Sequence, residues 1–445
     1  MNQQTVQSTG RETFREHFQQ VQDRFSQNGQ AWFLNARKAA FARFNELGFP
    51  TPKDEAWKHT NLRPLTEVEF EHPQGDLSRA GDLLEGIVFH QFKAHRMVFV
   101  DGRFSEAHSD LENLPKGLTV IPLTKAFSSH RELVEKHLAK YAGEDENPAF
   151  VALNTALHED GALIKVDKRT HIEDPIHLIF LSSSHERPHS THPRILVVAE
   201  EGSEATLVER YVGEQGSVYF TNTVAEAVLE DNAVLDHYRL QDESEDAFHI
   251  GTVQIELARD SQYRTHAISI GSKIGRNGIA AHLNGPGIEC VMNGLFLTQD
   301  EQHIDNHTRV IHAEPHCHSH EVFKGILDGH SSGAFTGRII VKEGAQKTDA
   351  IQSSKNLLLS DDAKITPDPQ LEIFADDVKC THGATIGQLD TDAIFYLKSR
   401  GIDEQSAKGL LTYAFANEII EQIKIEPLRE YLEQIIAERY RKGVH

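Results

Sequence analysis

The sequence is poor in cysteine. Three cysteines occur among its 445 residues, at positions 290, 317 and 380. So few cysteines exclude a disulfide framework, and their wide spacing excludes a Cys-x-x-Cys zinc or redox motif. Because disulfides accumulate in oxidising compartments, their absence favours a reducing one, and we expect a cytoplasmic protein.

The sequence also lacks long apolar runs and an excess of basic residues. No apolar stretch approaches the roughly 18 residues that a membrane-spanning helix needs, and the N-terminus has no apolar segment typical of a secretory signal. Lysine and arginine number 45 against 67 aspartates and glutamates, which gives a net charge of −22 with neutral histidines. This acidity argues against binding to nucleic acids or to anionic membranes.

Common nucleotide-binding and hydrolase motifs are missing as well. There is no Walker-type phosphate loop, and Gly285-Pro286-Gly287 lacks the third glycine of a dinucleotide-binding motif, because Cys290 stands there. No Gly-x-Ser-x-Gly elbow of a serine hydrolase is present. The segment from His185 to His189 matches H-E-x-x-H literally, but Pro188 would break the helix that this zinc motif requires. We therefore expect a loop there and no zinc protease site.

The periodicity of apolar residues divides the chain into three regions. Residues 1–146 are predicted to be helical, with Phe14, Phe18, Val21 and Phe25 on one helix face. Residues 147–389 contain short apolar runs separated by Gly, Asn, Asp and Ser, which predicts many short strands. Residues 390–445 are predicted to form three amphipathic helices, whose apolar faces must pack on the β region or on a partner protein.

A weak internal echo narrows the architecture of the β region. Phe323-Lys324-Gly325-Ile326 and Phe335-Thr336-Gly337-Arg338-Ile339 are offset by twelve residues. A parallel crossover through a helix needs about a dozen residues or more between its strands, so a doubly wound α/β fold is disfavoured. A β-sandwich and a parallel β-solenoid both remain compatible with the pattern.

Histidine is abundant, with 27 residues in the chain. Seven lie between positions 303 and 330: His303, His307, His312, His316, His318, His320 and His330. On a strand, His316, His318 and His320 would share one face and could bind Zn²⁺ or Fe²⁺. A β-solenoid or cupin-like metalloenzyme using the 303–330 histidines is therefore one candidate function. The alternative is that these imidazoles are solvated or have structural hydrogen bonds.

The segment Cys380-Thr381-His382 is a second candidate site. Residues two apart on an extended chain point the same way, and thiolate and imidazole suit iron–sulfur or zinc ligation. Two ligands do not complete a site, so another chain would have to supply the rest. The alternative is a buried Cys380 that acts as a small apolar residue beside a structural histidine.

Several motifs between residues 275 and 420 together carry a family resemblance. They include Gln302-His303-Ile304-Asp305-Asn306-His307-Thr308, Phe323-Lys324-Gly325, Ala345-Gln346-Lys347-Thr348-Asp349-Ala350, Lys379-Cys380-Thr381-His382-Gly383-Ala384-Thr385 and Phe395-Tyr396-Leu397-Lys398-Ser399-Arg400-Gly401. This block closely resembles the SufB/SufD family of iron–sulfur cluster assembly scaffolds. Glu55-Ala56-Trp57-Lys58-His59-Thr60 and the glycine at 383 are similar to the SufD branch of that family.

The resemblance implies a mainly β fold, a right-handed parallel β-helix flanked by N-terminal and C-terminal α-helical regions. It implies a non-catalytic scaffold subunit of the SUF complex that helps to build and transfer nascent clusters. Whether the subunit also helps iron to enter the complex is left open. The implied partners are SufB, paired through the β-helix, and the SufC ATPase, bound through the C-terminal helices. A homodimer of the isolated chain is an alternative. The implied cofactor is a transient iron–sulfur cluster shared with SufB, and none is expected in the isolated chain.

The resemblance also assigns roles to residues. His382 and Cys380 are expected at the junction with SufB, and His382 is the better supported of the two for cluster assembly. The residues expected to contact the ATPase subunit are Phe395, Tyr396, Leu397, Arg400, Gly401, Leu410, Leu411 and Phe415. The remaining histidines gain little from the resemblance: His303 and His307 lie in a matching motif, where a structural role suffices. His316, His318 and His320 remain weak metal candidates.

Overall fold

The computed structural model describes residues 3–27, 31–73, 80–85, 92–143 and 146–440. Its N-terminal part is mostly helical, and the predicted face of Phe14, Phe18, Val21 and Phe25 is buried. The elements are α1 (Gln3–Gln27), α2 (Leu34–Leu47), α3 (Arg63–Thr66), α4 (Ala80–Glu85), β1 (His95–Val100), β2 (Arg103–Phe104), β3 (Leu118–Pro122), α5 (Leu123–Ser129), α6 (Arg131–His137) and α7 (Pro148–Leu157).

Gly48 ends α2. Its φ of 66° lies in the left-handed region, which glycine adopts without strain. Its backbone N–H donates to the Phe44 carbonyl at 2.7 Å, which satisfies one of the carbonyls left unpaired at a helix end. The side chain of Phe44 is fully buried, so the cap and the apolar face fix this helix together.

Between residues 161 and 387 the regular secondary structure consists of strands alone. They are β4 (Gly161–Val166), β5 (Ile176–Ser182), β6 (His189–Thr191), β7 (Arg194–Ala199), β8 (Glu204–Gly213), β9 (Tyr219–Leu229), β10 (Val234–Asp242), β11 (Phe248–Leu257), β12 (Gln262–Ser269), β13 (Ile274–Leu283), β14 (Glu289–Thr298), β15 (His303–His312), β16 (His318–Leu327), β17 (Ser332–Val341), β18 (Asp349–Leu358), β19 (Lys364–Ile373) and β20 (Lys379–Gly387).

These strands form two long sheets between which the chain alternates. One sheet has the order β2-β1-β5-β8-β10-β12-β14-β16-β18-β20, and the other β19-β17-β15-β13-β11-β9-β7-β4-β3, with β6 beside β9. From β4 onward, neighbouring strands are parallel. For example, β13 and β15 are parallel, with Ile274 paired with His303. The chain therefore winds as a parallel β-solenoid of about eight turns, which confirms the parallel β-helix and excludes the β-sandwich.

The twelve-residue echo in the sequence has a structural cause. Phe323 lies on β16 and Phe335 on β17, so the two residues belong to successive strands in opposite sheets. Both side chains are buried, and their ring centroids lie 4.9 Å apart. The echo therefore marks two facing positions across the interior.

Three helices follow the solenoid: α8 (Thr391–Ser399), α9 (Glu404–Ile420) and α10 (Glu426–Tyr440). The Asp390 side chain accepts a hydrogen bond from the Asp392 N–H and caps α8. Buried residues of α9 and α10 such as Ile419 and Leu432 form one apolar cluster with strand residues such as Leu240 and Leu295. The solenoid therefore covers the apolar faces of these two helices.

The division of the chain into regions 1–146, 147–389 and 390–445 stays a prediction. Strands β1–β3 precede the boundary at 147, and α7 follows it. Residues 1–2 and 441–445, at the outer ends of the first and last regions, lie outside the described residues. Within the described ranges, no helix is long and apolar enough to cross a membrane.

Candidate functional site

Cys380 and His382 lie on β20, the last strand of its sheet. Among the described strands, β20 pairs only with β18, where Cys380 is opposite Ala350 and His382 is opposite Gln352. Ala350 and Gln352 are buried, whereas Ile351 between them is exposed, so the first two face the solenoid interior. Cys380 and His382 continue this inward-facing column into the last turn. Their common orientation agrees with the spacing argument.

The two side chains differ in exposure. Cys380 is partly buried against the interior apolar cluster, whereas His382 is exposed. Burial raises the pKa of the Cys380 thiol, and the charge of Asp349 raises it further, while a hydrogen bond with the Ala350 backbone lowers it. The thiol therefore stays protonated in the isolated chain, and bound iron would have to displace its proton.

The last turn of the solenoid is open on one side. Within the described chain, β19 and β20 each have a strand neighbour on one side only, so their other edges can bond to a second chain. β19 contains Pro367 and Pro369, which lack N–H donors and are typical of sheet edges. β20 contains no proline. Its edge therefore offers more donors to an added strand than the edge of β19.

Exposed apolar side chains accompany this open edge. Of the eight large apolar residues that are exposed in the described chain, four lie on β18 to β20 or directly after β19: Ile351, Ile373, Phe374 and Ile386, with exposures of 42%, 41%, 63% and 51%. Sequence reasoning missed these four residues. No local pattern marks them, because an apolar residue on a strand looks the same in the sequence whether or not a further turn covers it.

The residues expected to contact the ATPase subunit differ in their exposure on the C-terminal helices. Phe395, Tyr396 and Leu410 are exposed at 74%, 57% and 37%. Arg400 is also exposed, and its guanidinium lies 5.2 Å from the centroid of the Tyr396 ring.

The other residues of that set are less available or carry no apolar side chain. Leu397, Leu411 and Phe415 are partly buried, and Gly401 is an exposed residue with a φ of 90°. The Phe415 ring lies 4.3 Å from Lys324 Nζ. The exposed apolar surface of this region is therefore concentrated on α8 and the start of α9.

The histidines of segment 303–330 do not converge on one point. His318 and His320 lie on β16 and are exposed on one face, but His316 lies in the preceding turn with a φ of 61°. Within the described residues, these three do not form a group with ligand atoms close enough to share a metal ion.

The neighbouring histidines of that segment are bonded to protein groups. His303 lies 2.8 Å from Ser332 Oγ, His307 lies 3.1 Å from an Asp305 carboxylate oxygen, and His312 lies 2.9 Å from Ser319 Oγ. These contacts fit the structural interpretation of the histidine-rich segment.

A buried carboxyl group lies behind the inward-facing column. Gln352 Nε2 donates a hydrogen bond of 3.3 Å to Glu321 Oε2, and the Thr308 hydroxyl donates to the same oxygen. Burial raises the pKa of Glu321 to about 7, although these two hydrogen bonds lower it. Gln352 therefore stands between the two groups: its side chain is bonded to Glu321, and its backbone position is paired with that of His382 on β20.

The literal H-E-x-x-H segment lies outside any described helix, as predicted. His185 is in the loop after β5, and His189 is the first residue of β6. Both imidazoles nevertheless approach Asp101, which sequence reasoning missed. No local pattern could have found it, because Asp101 and His185 are 84 residues apart in the chain.

Comparison with known proteins gives two family matches that together span most of the chain. Residues 180–415 match the SUF system FeS cluster assembly SufBD core domain, and residues 8–178 match the SufBD protein N-terminal region. The iron–sulfur cluster assembly SufBD family protein of Synechocystis sp. is 34% identical over 91% of this chain and 90% of that protein.

Two relatives carry the name iron–sulfur cluster assembly protein SufD. The protein of Escherichia coli is 30% identical over 89% of this chain and 90% of its own length. The protein of Bacillus subtilis is 27% identical over 93% of this chain and 96% of its own length. The matches therefore extend over the helical and the solenoid regions together.

Proposed function

The chain belongs to the SufBD family and is a subunit of the SUF iron–sulfur cluster assembly system, and we propose that within it the chain is a non-catalytic scaffold. In this proposal the last turn of the solenoid pairs with SufB, and the two chains together hold a nascent cluster as their cargo. The SufC ATPase binds the C-terminal helices. His382 and Cys380 contribute to cluster assembly at the junction.

The observation that carries this proposal is the open last turn with an exposed imidazole in its inward-facing column. A second solenoid stacked on β20 would extend the sheet by backbone hydrogen bonds. It would also cover the exposed Ile386 and bring its own side chains over His382. Ligands from two chains would then meet at one place, which a cluster needs because Cys380 and His382 alone are too few.

The two residues are proposed to act differently. The exposed His382 can bind iron or sulfide species without rearrangement of the fold. Cys380 has a protonated, partly buried thiol, so it becomes a ligand only where iron displaces the proton. We therefore expect His382 to matter more than Cys380 for the yield of assembled cluster.

The exposed aromatic residues of α8 support a separate partner surface. Phe395 and Tyr396 are exposed, whereas the buried apolar faces of α9 and α10 pack on the solenoid. Aromatic side chains are typical anchors of protein interfaces. The proposed ATPase contact is therefore centred on α8, and ATP is handled by the partner, in agreement with the missing phosphate loop.

The metalloenzyme alternative is not favoured. The family matches cover the histidine-rich segment, and several of its histidines are bonded to serine or aspartate side chains. Exposed residues such as His318 and His320 have no third ligand within reach in the described chain.

The test of the proposed function is His382→Ala in the complex of this chain with SufB and SufC. We expect complex formation to persist and the iron and sulfide bound per complex to fall severalfold. His320→Ala is the matched control, since His320 is an exposed strand histidine of the same sheet, two strands from the edge.

Thermal unfolding of the isolated variants separates function from folding. Loss of an exposed imidazole should leave the unfolding temperature unchanged. A normal cluster yield in the His382→Ala complex would refute the role of His382, and so would a loss of cluster that the His320→Ala control shares.

A further inference from the structure

A group of metal-binding side chains lies at the opposite end of the molecule from the open edge. Asp101 occupies the turn between β1 and β2, His185 the loop after β5, and His189 the start of β6. One oxygen or nitrogen atom from each residue lies within 4.8 Å of the others, and the described chain contains no second group of this kind. The three residues come from separate segments, so the fold brings them together.

The backbone holds Asp101 firmly in this place. Asp101 and Gly102 have φ values of 49° and 78°, as a two-residue type I′ hairpin requires, and they connect paired Val100 and Arg103. The Asp101 N–H donates to the Leu181 carbonyl at 2.8 Å. The carboxylate therefore has a fixed position before any ion binds.

The distances suit a small metal ion. His185 Nε2 lies 3.0 Å from Asp101 Oδ2, and His189 Nε2 lies 3.4 Å from Asp101 Oδ1. The imidazole centroids of His185 and His189 are 4.4 Å apart. Ligand atoms at about 2.0–2.1 Å from a tetrahedral metal ion are separated by roughly 3.4 Å, so little movement is needed to bind one.

An independent observation points to a missing ligand. His189 is only 2% exposed, its Nδ1 has no hydrogen-bond partner in the described chain, and its Nε2 has only the long 3.4 Å contact with Asp101. A buried polar atom without a partner is costly and therefore rare in folded proteins.

Asp101 is prepared for the same role. It is 1% exposed, and it accepts hydrogen bonds from the Ser183 backbone N–H at 2.8 Å and from the Ser183 hydroxyl at 2.7 Å. A ligating carboxylate is commonly oriented by such hydrogen bonds. Two imidazoles and one carboxylate are a ligand set typical of Zn²⁺ and of non-haem Fe²⁺.

We propose that Asp101, His185 and His189 bind one divalent first-row transition metal ion. The site does not depend on the partner surfaces or on the cluster assembly role of His382. It explains why a literal H-E-x-x-H segment without a helix still brings its two histidines together. It also changes the expectation for the purified chain, which would then carry metal without being a metalloenzyme.

The test uses the full chain, freed of metal with a chelator and titrated with Co²⁺ as a spectroscopic probe. We expect one equivalent to bind with the visible absorption of low-symmetry Co²⁺, and Zn²⁺ to displace it. Because the ion binds only the folded state, we also expect it to raise the unfolding temperature. His185→Gln and Asp101→Asn should each weaken Co²⁺ binding by about tenfold or more.

His189→Ala should abolish binding, and the two milder variants keep the test decisive if this one fails to fold. His318→Ala is the matched control and should bind Co²⁺ as the unchanged chain does. No binding by the unchanged chain would overturn the proposal. Undiminished binding by both His185→Gln and Asp101→Asn, or a loss of binding in His318→Ala alone, would overturn it as well.

Discussion

The two ends of the solenoid are finished in different ways. At the first end, β2 and β3 pair in antiparallel fashion with β1 and β4, which stops the parallel addition of strands. Phe104, Leu111 and Leu114 pack there against the interior apolar cluster. At the last end, β19 and β20 continue the parallel order and keep one edge unpaired within the described chain.

The side chains in the interior of the solenoid also differ between the first and the last turns. In the first turns the interior is a stack of aromatic rings, in which Phe180 lies 4.9 Å from Phe99 and 5.0 Å from Tyr211. In the last turns the inward-facing column of β16, β18 and β20 carries Glu321, Gln352 and the exposed His382 in paired positions. The comparison teaches that the chain caps one end with its own residues and leaves the other end without a strand cap in the described chain, and solenoid ends require a cap. The proposed partner would supply it.

The largest expected difference between the ends is in stability. Phe99→Ala removes a buried ring from the closed end and should lower the free energy of unfolding by about 3–5 kcal/mol. Ile386→Ala at the open end should change it by no more than about 0.5 kcal/mol, because the side chain is half exposed. Guanidinium denaturation of the two variants measures both values. Equal losses would contradict the contrast between the ends.

The pH dependence of stability tests a feature of the last turns, the buried carboxyl group of Glu321. Folding raises the pKa of Glu321 from 4.5 to about 7, chiefly through burial. The folded chain therefore keeps a proton that the unfolded chain loses, and this contribution to stability is lost as pH rises through about 7.

The matched variant for this effect is Glu321→Gln, which cannot titrate. Between pH 4.5 and 7, the free energy of unfolding of the unchanged chain should fall relative to this variant by an amount on the order of 3 kcal/mol. Denaturation at a series of pH values measures it. A difference that does not change with pH would show that Glu321 is ionised in the fold.

A smaller effect separates the two proposed partner surfaces. Ile386→Asp places a charge on the open edge and should weaken binding to SufB about tenfold, or about 1.4 kcal/mol, without affecting SufC. Phe395→Ala on α8 should weaken SufC binding to a similar degree without affecting SufB. Titration of each purified partner measures both affinities. If either variant weakened both partners equally, the two surfaces would not be separate.

The sequence predicts the positions of strands better than their arrangement. Alternating apolar residues and turn residues locate short strands, but sandwiches and solenoids share that pattern. The pairing partner of Ile274 is His303, 29 residues later, and no local signal marks this register. The prediction of a parallel β-helix came from the family resemblance. The facing pair Phe323 and Phe335 explains the twelve-residue echo in the sequence.

The candidate site was predictable to the extent that its chemistry lies in one short segment. Cys380 and His382 are close in sequence and share one face, so spacing was sufficient to find them. The exposure of Phe374 and Ile386 depends on β19 and β20 being the last strands, which the sequence does not encode locally. Asp101 comes close to His185 and His189 only in the folded chain, so no local pattern predicts this contact.

The central claim is that the open last turn is completed by a partner chain, and hydrogen–deuterium exchange tests it most directly. The amides of β20, residues Lys379–Gly387, are measured in the isolated chain and in the complex with SufB, because a new strand would give its edge N–H groups acceptors and slow their exchange. The account predicts strong new protection along β20 and none along β1 and β2. Unchanged exchange on β20, or protection that appears at the first end instead, would contradict it.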